Sequence, residues 1–350
     1  MAKNNENKIL RSVLITRFSA LGDVAMTIPI VYPVCRANPK VNFVLATREA
    51  PAGLFVNRPS NLIVLGIDFD KYKGLTGIIK LTSNLHHRYN FDAMADLHDV
   101  LRTKIMRATL RCKGVTVASI DKGHKEKRQI ISGKSRKQLI STHARYKAVL
   151  QNLGLKSGEE FMSIYGDGEL PSRPFIPAKE EGDLWIAMAP FSNLQGKVYP
   201  LEQMQLVIAE LSRWDRCTIF LMGGGEKERK AITPIVQRYD NTVSLLHLKH
   251  NFADELALLA RCDVMVTMDS ANMHLASLVG LPAVSVWGAT HPACGFLGWH
   301  QAMRDTVQLD LDCRPCSVFG NKKCRYGDYH CMKDISPELI INKVKAILER

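Results

Sequence analysis

Short apolar runs alternate with stretches of helical spacing along this 350-residue chain. In the first half, residues 12–18 (SVLITRF), 41–47 (VNFVLAT), 61–67 (NLIVLGI), 91–98 (FDAMADLH) and 113–120 (KGVTVASI) read as strands. Their hydrophobicity is continuous rather than alternating, as expected of parallel strands buried on both faces. The turn Ser19-Ala20-Leu21-Gly22-Asp23 opens an apolar helix that Pro29 and Pro33 kink or divide, and residues 101–110 form a second helix. In the second half, strands at 184–190, 217–225 and 242–248 alternate with helices at 201–214, 226–239 and 253–261. A closing unit follows in VMVTMDSANMHLASLVGLPAVSVWG: a strand, a break at Asp269-Ser270, a small-residue helix, stop signals at Gly280 and Pro282, and another strand.

Two β/α series in succession predict an α/β protein with two Rossmann-like, doubly wound domains facing a central cleft. The segment GELPSRPFIPAKEEG, with three prolines and a charge cluster, reads as a linker running from Asp167 to Asp183. The expected division is 1–175, then 176–335 with a Cys-rich loop at 313–331, then a C-terminal helix at 336–350. Ligands of open parallel sheets sit beyond the carboxyl ends of the strands. The informative turns are therefore 19–23, 191–197, 223–228 and 269–274.

An apolar fraction of 46% and a charged fraction of 23% fit an ordinary globular protein, and no apolar run reaches the roughly 18 residues of a membrane helix. The polar opening MAKNNENKILRS carries no signal-peptide core, so a cytoplasmic protein is expected. The formal net charge is +13, and the excess concentrates in residues 102–147, where Asp121 and Glu126 are the only acids. A nucleic acid, an anionic membrane face or a polyanionic substrate would suit such a run, and so would a solvated surface. Tyr146 is the only aromatic residue in it, which weighs against nucleic acid. Cys313, Cys316, Cys324 and Cys331, spaced C-x2-C-x7-C-x6-C, fit a structural zinc site, disulfides or free thiols.

No G-x-G-x-x-G follows the first strand and no G-x-x-x-x-G-K-[ST] is present, so the dehydrogenase and phosphate-loop kinase readings fail. Asp269 and Ser270 place a carboxylate, a hydroxyl and open backbone N–H groups at a helix mouth, with His274 one turn further along the same side. That arrangement suits a phosphorylated, hydroxyl-rich ligand; a capped helix in a sheet protein gives the same pattern. Asp23, with Arg17 and Ser19 nearby, could take a proton from a hydroxyl or could N-cap its helix. In PFSNLQGKVYP, Ser192, Asn193 and Lys197 could grip a diphosphate, or Lys197 could be a surface lysine. The pairs Asp68-Phe69-Asp70 and Asp310-Leu311-Asp312 resemble metal–sugar motifs but are short, common and away from the inferred cleft, and are discounted.

Taken in series, TRFSALGDVAMTIP, PFSNLQGKVYP and DSANMHLASLVGLPAVSVWGATHP resemble the three signature blocks of the heptosyltransferases, glycosyltransferase family nine. DLHDVLRTKIMRATLR, THARYKAVLQNLGL and the Cys-rich tail also resemble family segments. The resemblance implies a GT-B fold, inversion at the anomeric carbon, no required cofactor or metal, an ADP-heptose donor and a lipid A–Kdo type acceptor at the inner membrane leaflet. It carries catalysis to Asp23, and donor binding to Ser192, Asn193, Lys197, Glu226, Asp269, Ser270, Ala271 and His274. Glu228 is an equal candidate beside Glu226. Acceptor contacts fall on Arg17, Ser19, Arg102 and Lys104. Many members read Asp-Thr-Gly where this chain has Asp269-Ser270-Ala271, and Ala271 adds a methyl where the backbone approaches the ligand. A heptosyltransferase of lipopolysaccharide core synthesis, peripheral to the inner membrane, is the leading expectation. The rivals are a relative using another nucleotide sugar, a non-catalytic sugar-nucleotide or polyanion binder, and a zinc-bearing nucleic-acid binder.

Overall fold

The computed structural model describes residues 10–166 and 168–350. The first nine residues of the polar opening, and Asp167 at the start of the expected linker, lie outside the described residues. The chain divides into two compact units: Met1–Lys122 with Thr142–Phe161, and Gly123–Ser141 with Met162–Arg350.

The first unit holds β1 (Ser12–Thr16), β2 (Asn42–Arg48), β3 (Leu62–Ile67), β4 (Ala93–Asp96) and β5 (Thr116–Ser119). They form one parallel sheet in the order β3-β2-β1-β4-β5. The second unit holds β6 (Leu184–Ala189), β7 (Cys217–Leu221), β8 (Thr242–Ser244), β9 (Val264–Met268), β10 (Ala283–Val286) and β11 (Thr306–Val307). Their parallel order is β11-β10-β9-β6-β7-β8. Each sheet winds outward in one direction and then in the other. The direction reverses between β1 and β4 in the first unit, and between β6 and β9 in the second. At such a switch point the connecting loops part and leave a crevice beyond the strand ends.

The central strands β1, β6 and β9 are buried almost throughout, which is why their sequences are apolar without alternation. Leu14, Val44, Met94, Met106 and Leu110 fill the first core; Ile186, Met188, Val207, Val266 and Val284 belong to the second. Each such side chain, fully buried, contributes about 1.5–3 kcal/mol.

Several boundaries differ from expectation. The helix after the first turn is divided, as its prolines suggest, but ahead of both: Leu21–Ala25 and Ile28–Ala37 are separate helices, with Pro29 in the opening turn of the second, where its missing N–H costs nothing. Residues 242–248 divide into β8 and a tight turn, Leu245–His247. The single break expected at 175 is replaced by three crossings of the chain, after Lys122, Ser141 and Phe161. Residues 123–141 join the second unit because Ile130 packs on Ala293 and Cys294 and the Leu139 N–H donates to the Ala293 carbonyl at 3.0 Å. The proline-rich segment is likewise strapped to that unit through Arg173–Asp254 (2.6 Å) and Lys179–Asp263 (2.7 Å). The C-terminal helix Pro337–Leu348 is part of the second core, burying Ile340, Ile341, Val344 and Ile347. No helix among the described residues is long and apolar enough to cross a membrane.

Candidate functional site

In the second unit, β6 ends in a loop that closes with the tight turn Gln195–Lys197, and β9 ends at Met268, directly before Asp269. The strands are adjacent, so both loops open at the switch point. Lys197 Nζ stands 2.8 Å from Asp269 Oδ2, and the Thr290 hydroxyl donates to the same oxygen at 2.6 Å. Asp269 is buried and Lys197 is nearly so, which makes this a held pair rather than two solvated charges. Ser270 is the N-cap of helix Ala271–Leu278, yet its hydroxyl makes no cap bond and instead shares a hydrogen bond with Thr267 Oγ1 at 3.3 Å. Ala271 opens the helix and His274 is buried one turn in. Ser192 and Asn193 lie in the Lys197 loop, the first half-buried and the second exposed.

Glu226 and Glu228, which the sequence left as equals, have distinct settings. Glu226 is exposed and pairs with Arg229 (2.5 Å) and Lys230 (3.8 Å). Glu228 turns back onto the glycine loop after β7 and accepts the Gly224 N–H at 2.7 Å.

In the first unit Asp23 is the third residue of helix Leu21–Ala25, not its N-cap. Its Oδ2 accepts the Ala20 N–H at 3.1 Å and lies 2.6 Å from Arg17 Nη2. Arg17 also donates to the Leu97 carbonyl (2.9 Å) and lies over the Tyr146 ring (5.9 Å), while the Tyr146 hydroxyl donates to the Asp23 carbonyl (3.3 Å). Arg17 is buried, with its guanidinium against Asp23.

Beside it, the end of β4 carries residues that the sequence reading passed over inside an expected strand. Asp96 Oδ1 accepts the Thr16 hydroxyl (3.2 Å) and the N–H groups of His98 (2.9 Å) and Asp99 (3.0 Å). Arg107 closes this network, 3.3 Å from Asp96 and 2.8 Å from Asp99. His98 Nδ1 accepts the Phe18 N–H, and burial, reinforced by Arg17, pushes its pKa down to about 3, so it is neutral near pH 7. Burial also lowers Lys122, whose ammonium donates to the Asp99 carbonyl at 3.1 Å.

A pocket of about 970 Å³ opens here, lined by Phe18, Ser19, Leu21, Arg48, Asp68 and Arg102 among others. Of the residues expected to contact the acceptor, Ser19 and Arg102 line this pocket. Lys104 is exposed and 4.0 Å from Asp99. Arg102 stacks over Phe69 at 4.6 Å. Asp68, Phe69 and Asp70 also line this pocket. β3 runs parallel to β1, so the segment following it emerges at the same edge of the sheet. Asp310 and Asp312 line a different pocket, of about 440 Å³, beside Arg136.

The basic run at 102–147 is not one surface. It is divided between the two units; Arg107 is half-buried in carboxylates, and Lys127 is buried with its ammonium 4.2 Å from the centre of the Phe296 ring. The four C-terminal cysteines are free thiols. Among the described residues, no three His, Cys, Asp or Glu side chains gather closely enough to hold a metal ion. Burial pushes Cys331 up to about 11 and raises Cys316, which keeps both protonated.

Two parallel Rossmann-like units, one with a Lys–Asp pair beside an open helix mouth at its switch point, define a glycosyltransferase of the GT-B kind. A family model for glycosyltransferase family 9 (heptosyltransferase) matches residues 117–330, and the chain belongs to this family. A lipooligosaccharide heptosyltransferase 2 from Campylobacter jejuni is 23% identical over 329 residues, 93% of this chain and 96% of that protein. Among solved structures, a family 9 glycosyl transferase from Veillonella parvula matches with a TM-score of 0.73 at 16% identity, covering 97% of each chain. The E. coli heptosyltransferase WaaC, solved with ADP-2-deoxy-2-fluoro heptose, matches with a TM-score of 0.65 at 16% identity, covering 97% of this chain and 99% of that one.

Proposed function

We propose that this chain moves a heptose from ADP-heptose onto the inner core of lipopolysaccharide, with inversion and without a metal. The observation that carries the reading is Asp23: one carboxylate oxygen is held by Arg17 and the Ala20 N–H, in the turn whose Ser19 and Leu21 line a pocket large enough for a sugar. Asp23 takes the proton of an acceptor hydroxyl through its other oxygen, Oδ1, as that hydroxyl attacks the anomeric carbon. The bond from that carbon to the diphosphate breaks, and ADP departs with the electron pair. Lys197 and the N-terminus of helix Ala271–Leu278 offset the charge gathering on it. Asp269, steadied by Thr290, hydrogen-bonds the donor sugar hydroxyls.

The acceptor is lipid-borne and anionic, and the enzyme works peripherally at the cytoplasmic face of the inner membrane. This is supported by Arg48, Lys73 and Arg102 around the first-unit pocket and by the exposed Leu75 and Leu101 on its rim. Turnover of ADP-heptose on a Kdo-bearing lipid A acceptor tests the reading, with Asp23→Asn as control. The variant should lose about a hundred- to ten-thousand-fold in kcat while still binding ADP. Full activity in Asp23→Asn would remove the assigned base, and turnover of a different nucleotide sugar alone would overturn the donor.

A further inference from the structure

The Cys-rich segment is not accounted for by the reaction, yet it packs directly around the donor residues. Arg314, between Cys313 and Pro315, turns its guanidinium inward and donates to the main-chain carbonyls of Trp287 (3.0 Å), Gly288 (2.5 Å), Thr290 (3.0 Å) and Leu309, and to Gln308 Oε1 (3.1 Å). It is half-buried, and that burial lowers its pKa from the usual arginine value. Two residues on, the Cys316 N–H donates to the Ala289 carbonyl (2.8 Å), and the Ala289 N–H donates to the Gly196 carbonyl (2.8 Å). Gly320 lies against Lys197 so closely that a Cβ there would stand 2.9 Å from Lys197 Cε. Residues 287–290 are thus held from one side by the Cys-rich segment, and from them Thr290 reaches Asp269.

We propose that Arg314 is a positioning residue for the donor site, acting through Thr290 on the Asp269–Lys197 pair, and that the Cys-rich segment is the wall that carries it. A half-buried cation satisfied by carbonyls from two separate segments, 287–290 and 308–309, fixes their directions more firmly than packing alone, because each carbonyl would otherwise need another donor. This rests on the donor assignment above only for its consequence, not for its geometry.

The test uses the full-length protein and two readouts. The first is amine acylation at Lys197, followed residue by residue by mass spectrometry without any ligand. In the native protein the Asp269 pair and Gly320 shield Lys197. Arg314→Met should raise its acylation rate by roughly tenfold, as should Thr290→Val, and the double variant should show little more than either alone. Exposed lysines such as Lys71 serve as the internal reference. The second readout is ADP binding, which should weaken in step in Arg314→Met and less in Arg314→Lys. An Arg314→Met protein with native Lys197 protection overturns the proposal even if its melting temperature falls. So does full additivity with Thr290→Val. If the native protein binds no ADP, the donor reading fails while the acylation result still decides the role of Arg314.

Discussion

Asp23, Lys197 and Asp269 each follow an apolar strand with small or polar neighbours, and that local context marks them in the sequence. Their partners are not marked. Arg17 pairs with Asp23, and Thr290 with Asp269, because particular side chains face each other across loops, and residue spacing does not encode facing. Asp96 and His98 were concealed for the opposite reason, since inside FDAMADLH they pass for strand positions. His98 gives a pH prediction. Its folded pKa is about 3, against about 6.5 in an unfolded chain. As pH falls through that interval the unfolded chain takes up a proton that the folded one refuses, so stability present at pH 7 is progressively lost. His86 and His291, also lowered by burial, act in the same sense, while His250, raised chiefly by its bond to Glu255, acts against it. Melting curves between pH 7 and pH 4.5 should show a smaller drop in His98→Asn than in the native protein. An identical drop would mean that His98 does not carry the dependence.

At the scale of elements, the strands were legible because burial on both faces demands unbroken hydrophobicity. Their flanking turns were less so. The loops after β6 and β10 approach so closely that glycine is required at the contact: a Cβ on Gly288 would stand 2.6 Å from the Gly196 carbonyl and would also strike the Met332 side chain. Gly288→Ala should therefore cost about 1–3 kcal/mol through overpacking and push the Lys197 turn away from Asp269. Denaturant unfolding and ADP titration would register both effects, and an unchanged midpoint would show that Met332 and the turn yield freely. The helix at 21–37 illustrates the limit of pattern reading. Its apolar periodicity continues across the break: Pro29 and Pro33 signalled a kink or a division, and only the backbone placed it ahead of both, between Ala25 and Ile28.

For the whole molecule, the division of the chain into two units implies separable roles. Arg102, on the rim of the first-unit pocket and stacked on Phe69, lies outside the unit that holds Lys197 and Asp269, the proposed donor residues. Arg102→Glu should raise the acceptor KM several-fold, on the order of one lost charge contact, and leave the donor KM unchanged. Steady-state kinetics with each substrate varied in turn would check this, and a matching rise in donor KM would contradict the separation. The sequence by itself determined two β/α series, the parallel sheets they build and the loops that bear the chemistry. Those follow from local hydrophobic periodicity and from the polar residues that interrupt it. Only the tertiary structure decided that residues 123–141 join the second unit, that Arg17 pairs with Asp23, that Asp68-Phe69-Asp70 faces a pocket and that Gly320 of the Cys-rich segment lies against Lys197. Each of these depends on contacts between residues far apart in the chain, made by a few side chains whose directions are set once the sheets have formed.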